Sequence, residues 1–139
     1  MWKLSTKTIK NDNSHHFFGS VISDHSSKLT DSQSLTDHIN NLLEELDVTC
    51  LGIQTYNFKD KEGQHGFTSV YLLAESHIAI HTWPEYKVAE LDVYLCNYLR
   101  DNRKKCEFIF DSIVEHFNAL GISKQTIERP KANSLLGFI

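Results

Sequence analysis

Apolar residues along this chain keep two rhythms, one of about two residues and one of about 3.6, and the rhythms take turns. His15 to Ile22 (HHFFGSVI) reads as a first strand, with Gly19 inside it. Ser23 to Ser34 is rich in Ser and Asp and reads as a loop. Leu35, Ile39, Leu42, Leu43 and Leu46 then recur at helical spacing. Asp31 to Ser34 offer N-caps for that helix, which is expected to end near Asp47. Val48 to Phe58 is rich in strand formers, KDKEGQHG (Lys59 to Gly66) reads as a charged loop with two glycines, and Phe67 to Ala74 as the next strand. Ile78 to Thr82 is a short strand stopped by Trp83-Pro84. From Val88 to Cys96 the alternation is clean: Ala89, Leu91, Val93 and Leu95 face one way, and Glu90, Asp92, Tyr94 and Cys96 the other. A second helix is expected from about Asn102 to Leu120, with Cys106, Ile109, Phe110, Ile113, Phe117 and Leu120 on one stripe and Gly121 as the C′ residue. Ile122 to Ile127 is the last strand. Residues 1–13 read as a frayed polar end, and the tail ERPKANSLLGFI yields no assignment from its pattern.

This order, β-α-β-β-β-β-α-β, predicts an α/β fold: a two-layer sandwich, largely antiparallel, with two helices on one face of the sheet. The face carrying Asp92, Tyr94 and Cys96 is then left uncovered, a natural place for a site or a partner. At 139 residues the chain makes one domain with room for a core. A net charge of −4 leaves no basic footprint and argues against a nucleic-acid partner. No apolar run approaches the ~20 residues that span a bilayer, which argues against a membrane role. The beginning MWKLSTKTIKNDNSHH holds no apolar segment of a secretory signal. The three cysteines, Cys50, Cys96 and Cys106, have no metal-type spacing and cannot all pair, which points to free thiols in a reducing cytoplasm.

Eleven residues, ESHIAIHTWPE (Glu75 to Glu85), carry the chemistry. Glu75-Ser76 followed by His81 resembles the self-cleavage site of the bacterial and archaeal S-adenosylmethionine decarboxylase proenzymes. The resemblance is strongest from Gly66 to Cys96 and runs in outline from about His15 to Ile127. It implies that the chain is a zymogen cut before Ser76 into residues 1–75 and 76–139, the beta and alpha chains, and that Ser76 becomes a pyruvoyl cofactor. It implies that His81 assists the elimination, that Thr68 assists processing, that Cys96 protonates the product carbon, and that Glu85 holds the substrate ribose. An aromatic face would take the sulfonium and adenine, and Phe58 and Phe67 are the nearest candidates. The implied reaction is decarboxylation of S-adenosylmethionine through a Schiff base, supplying the aminopropyl donor for polyamine (spermidine) synthesis.

Making an electrophile from ordinary residues needs a strained or polarised peptide at 75–76, a hydroxyl and a base. Ser76 Oγ attacks the Glu75 carbonyl in an N→O acyl shift. Loss of the residue-76 α-proton expels the Glu75 carboxylate, and the dehydroalanine left behind hydrolyses to the pyruvoyl group. Ser76 and His81 are five positions apart, so in one strand they point to opposite faces about 17 Å apart. A homodimer resolves this, with Ser76 and Cys96 from one subunit and Thr68, His81 and Glu85 from the other. The resemblance also implies shared sites of this kind, and an isologous contact between the two uncovered sheet faces would create them.

A metal on His77 and His81 would need a helix to bring them together, and the segment is β-like, so no metal is expected there. His15-His16 reads as a strand-edge pair and Cys50 and Cys106 as core. Relatives commonly carry Thr before the cysteine and Gly after it, where this chain has Leu95 and Asn97. A pyruvoyl-dependent decarboxylase of arginine or ornithine fits the same cleavage chemistry. So does an unprocessed relative that regulates an active paralogue, and an intact-mass spectrum separates that reading from the enzyme.

Overall fold

In a computed structural model, residues 13–98 and 100–130 are described. They form six strands: β1 (Ser14–Ile22), β2 (Cys50–Asp60), β3 (Gly63–Leu73), β4 (Ser76–Trp83), β5 (Val88–Leu95) and β6 (Gly121–Arg129). The helices are α1 (Ser26–Thr30), α2 (Ser32–Glu45) and α3 (Arg103–His116), with a 3₁₀ turn at Pro84–Tyr86. The expected frayed N-terminus and most of the C-terminal tail lie outside the described residues.

All six strands join one antiparallel sheet in the order β2-β3-β4-β5-β1-β6. The alternation in β5 sets its faces. Ala89, Leu91, Val93 and Leu95 are buried, together with Ile78 and Ile80 of β4 and Phe17 and Val21 of β1. They pack under Leu35, Ile39, Leu42 and Leu43 of α2 and Cys106, Ile109, Phe110 and Ile113 of α3. The α/β two-layer architecture is the expected one.

Three local expectations are corrected. The Ser/Asp-rich stretch contains a helix, α1, held by a single fully buried anchor, Leu29. The charged loop at 59–66 is mostly strand: β2 and β3 run up to a turn at Lys61-Glu62, and Gly63 supplies its positive φ of 125°. Charge marked that stretch as loop, but an edge hairpin tolerates charge because its ladder is built from backbone. Finally, α3 ends at His116, and Asn118, with φ of 51°, takes the left-handed position expected of Gly121. Gly121 opens β6 instead, and Leu120 is 66 % exposed rather than part of the core stripe.

The far sheet face is uncovered by any described element. It presents Tyr56, Phe58, Leu72, Trp83, Ile22 and Ile127 as exposed apolar side chains. Between them lies a polar centre from β1, β4 and β5.

Candidate active site

Two groups of residues sit at opposite ends of β4. The first surrounds the 75–76 peptide. Ala74 and Glu75 form the two-residue turn between β3 and β4, closed by the pair Leu73 and Ser76. The positive φ falls on Ser76, at 136°. That conformation favours glycine, and a side chain held there costs on the order of 1–3 kcal/mol. The Glu75 carbonyl accepts a 2.8 Å hydrogen bond from the Cys96 backbone N–H, so the carbonyl preceding the strained serine is already polarised. Cys96 itself is one residue past β5 and half-buried.

The Glu75 side chain is clamped. Arg100 Nη2 donates to Oε1 at 2.7 Å and Arg100 Nε to Oε2 at 3.3 Å, while Asn102 Nδ2 donates to Oε2 at 2.5 Å. Asn102 Nδ2 also reaches the Cys96 carbonyl at 2.8 Å, tying both sides of the turn together. Burial pushes the Glu75 carboxyl up, but hydrogen bonds from Arg100 and Asn102 and the charges of Arg100 and Lys105 outweigh it, leaving a net value below the usual 4.5. Asn97 is 4 % exposed and braces this loop, its side chain accepting from the Asn102 N–H at 2.8 Å and its own N–H donating to Ser14 Oγ at 2.7 Å. By contrast, burial drives the Cys106 thiol up to about 11, as suits a core residue.

The second group lies at the other end of β4. Thr68 and His81 are register partners, and Thr68 Oγ1 is 3.1 Å from His81 Nδ1. A cavity of about 300 Å³ is lined by Phe58, Gly66, Thr68, Trp83 and Glu85 among others. Gly66 lets β3 lie tight against the end of β4 at the cavity wall: a Cβ there would meet the Thr82 carbonyl oxygen at 2.1 Å. Glu85 is presented by the 3₁₀ turn, which Lys87 closes with φ of 58°. Trp83 lies beside His81, with ring centroids 6.1 Å apart.

Within one chain, then, Glu75, Ser76 and Cys96 come together, and Thr68, His81, Glu85 and Phe58 come together, but the two groups stay apart. Ser76 pairs with residues whose side chains face the helices, Leu73 and Leu95, whereas His81 pairs with Thr68 and Glu90 on the open face. Phe67 needs correction as a substrate-stacking candidate: it is wholly enclosed in the core, because it falls on the helix side of β3. Trp83, which the sequence marks only as a strand stop, is 40 % exposed in the cavity wall. Arg100 and Asn102 had no signal in the sequence, since a lone Arg in a loop and an Asn before a helix look ordinary.

Comparison with known proteins places these groups in context. A family model described as S-adenosylmethionine decarboxylase matches residues 15–130. The chain is 34 % identical over 102 residues to the S-adenosylmethionine decarboxylase proenzyme of Aquifex aeolicus (strain VF5), covering 73 % of this chain and 70 % of that protein. It is 32 % identical over 99 residues to the arginine decarboxylase proenzyme of Ignicoccus hospitalis, covering 70 % and 67 %. Its fold is similar to the crystal structure of the adenosylmethionine decarboxylase from Aquifex aeolicus VF5, with a TM-score of 0.72 and 28 % identity over 85 % of this chain and 91 % of the other.

Proposed function

Because the chain belongs to the S-adenosylmethionine decarboxylase family, a family of carboxy-lyases, we propose that it cuts itself between Glu75 and Ser76 and then decarboxylates S-adenosylmethionine. The observation that carries the cleavage step is the pairing of a positive φ at Ser76 with a Glu75 carbonyl already held by the Cys96 N–H. Strain at Ser76 is relieved when its amide bond breaks, and the N–H donor stabilises negative charge developing on the carbonyl oxygen during attack. Ser76 Oγ bonds to the Glu75 carbonyl carbon as the amide nitrogen leaves. Loss of the Ser76 α-proton then expels the Glu75 carboxylate, and water releases ammonia from the residue that remains.

The pyruvoyl group so formed supplies an electron sink for decarboxylation. The surrounding residues fit such a group, for Cys96 stands beside the cleaved turn, where its thiol can hold the proton destined for the substrate α-carbon. Glu85 offers a carboxylate that accepts both hydrogen bonds of a ribose diol. Phe58 and Trp83 flank the same cavity and offer aromatic faces to a sulfonium and a flat base. The separation of the two groups supports a homodimer built across the open sheet faces, in which His81, Thr68 and Glu85 of one subunit complete the Ser76–Cys96 end of the other.

Similarity to an arginine decarboxylase proenzyme favours one other substrate, since a guanidinium would also pair with Glu85 and stack on Trp83. Intact mass of the purified protein tests the cleavage. Fragments 1–75 and a pyruvoyl-capped 76–139 are expected from the wild type and one uncut chain from Ser76→Ala. A wild type that stays full length after prolonged incubation replaces the enzyme with a regulatory reading. Labelled CO₂ release from S-adenosylmethionine, arginine and ornithine at equal concentration then decides the substrate.

A further inference from the structure

The polar centre of the open sheet face converges on one point. His16 of β1 and His77 of β4 both pair in register with Tyr94, so their imidazoles flank β5 from either side. Asp92 stands two residues along β5 on the same face. Its Oδ1 lies 2.6 Å from His16 Nε2 and 3.0 Å from His77 Nε2. One ligand atom from each of the three residues falls within 4.8 Å of the others. The two imidazole planes stand at 90° with centroids 6.1 Å apart, so they approach the carboxylate from different directions. In the single chain the three side chains are 20 %, 37 % and 40 % exposed and backed by three hydrogen-bonded strands, and in the proposed homodimer they would lie where the two open faces meet.

Without an ion, both imidazoles must spend an N–H on a single carboxylate oxygen. A divalent cation replaces those two protons and uses the nitrogen lone pairs instead. Tetrahedral bonds of about 2.0–2.1 Å set ligand atoms about 3.3 Å apart, so the two carboxylate contacts, at 2.6 and 3.0 Å, need to open by about 0.3–0.7 Å, while the imidazole nitrogens already lie within 4.8 Å of each other. Two imidazoles and one carboxylate suit zinc, cobalt, nickel or copper, whereas magnesium and calcium prefer all-oxygen shells. Strand-borne ligands also hold their spacing better than loop-borne ones.

We propose that His16, His77 and Asp92 form a site for a divalent transition-metal ion that ties β1, β4 and β5 together and leaves a fourth position open. Metal binding here does not depend on self-cleavage. Where cleavage occurs, the ion gains a further role, because His77 directly follows Ser76 and so anchors the new end of the 76–139 chain. One neighbour opposes the ion: the Arg129 guanidinium lies over the ring of Tyr94, the register partner of both histidines, 4.1 Å from its centroid.

The test uses the Ser76→Ala full-length chain, a single species whichever way the cleavage question falls. After chelator treatment it is titrated with Co²⁺, read by visible d–d bands, and with Zn²⁺, read by calorimetry. One ion per chain is expected, with tetrahedral-type cobalt absorption. Asp92→Asn, which keeps the side chain's shape, and His77→Ala should each weaken binding at least tenfold. Cys50→Ser should leave it unchanged, and Arg129→Met should tighten it. Absence of saturable binding, or binding unchanged in both Asp92→Asn and His77→Ala chains that keep the parent circular dichroism, overturns the proposal. Either outcome leaves the cleavage reading where intact mass puts it.

Discussion

Replacing Arg100 with Met should slow self-cleavage and loosen the fold by related amounts. The guanidinium makes two charge-assisted hydrogen bonds to Glu75 and a third, at 2.7 Å, to the Asp47 carbonyl. The Glu75 side chain is 11 % exposed and that of Arg100 is 37 % exposed. A hydrogen bond to a charged group contributes about 1.5–3 kcal/mol when buried, while an exposed ion pair contributes about 0–1. The partial exposure of Arg100 sets the pair between these limits, at about 1–2 kcal/mol, with Asn102 still holding one oxygen. If the clamp sets the geometry of the 75–76 carbonyl, the same energy appears as a cleavage rate lowered about five- to thirtyfold. Stability is compared by urea denaturation in uncut chains, Ser76→Ala against Ser76→Ala/Arg100→Met. Glu75 has a folded value lowered from 4.5, so its contribution is fully present above the ordinary carboxylate value and is lost as pH falls through the lowered one. The stability gap should therefore be widest at neutral pH and close in acid, while Arg100→Lys, which keeps charge without the fork, falls between. An Arg100→Met chain that cleaves at the wild-type rate, with a stability gap independent of pH, would refute the clamp.

Cys96→Ala should still be processed but decarboxylate about 10²–10⁴-fold more slowly, with some substrate amine transferred onto the cofactor; full activity in that variant would remove Cys96 from the reaction. Co-expressed Ser76→Ala and His81→Ala chains, each inactive alone, should recover cleavage at the one site that keeps both groups. No recovery in confirmed mixed dimers would place both groups in one subunit. Glu85→Gln should raise KM for S-adenosylmethionine with little change in its cleavage rate, and an unchanged KM would free Glu85 from substrate binding.

What the sequence discloses here depends on how local the cause is. The strict alternation from Val88 to Leu95 and the stripe of α2 translate directly into buried faces, because each is decided by neighbours two to four residues away. The helix α1 is different, for its five residues are helical only because Leu29 reaches the core, a tertiary fact. The motif from Glu75 to Glu85 was legible as chemistry, and strand parity alone put Ser76 and His81 on opposite faces. The clamp on Glu75 was not, since Arg100 and Asn102 arrive from a loop that the sheet folds back beneath the turn. The convergence of His16, His77 and Asp92 was equally hidden. It exists only in the register of three strands, and neighbouring pairs such as His15-His16 and His77/His81 were the visible but uninformative ones.

The strand order has a consequence for the life of the molecule. Cleavage after Glu75 would assign β1, β2 and β3 to one chain and β4, β5 and β6 to the other. The sheet order β2-β3-β4-β5-β1-β6 then threads a strand of the first chain, β1, between two strands of the second. Neither chain can close this sheet alone, and neither can leave without stripping a ladder on both its sides. The cut protein would stay together while folded, but once unfolded it would have to reassemble as a bimolecular encounter, slower at lower concentration and competing with aggregation. Self-cleavage would thus work as a ratchet: the uncut chain can fold again after every failure, whereas the activated molecule has in effect folded for the last time.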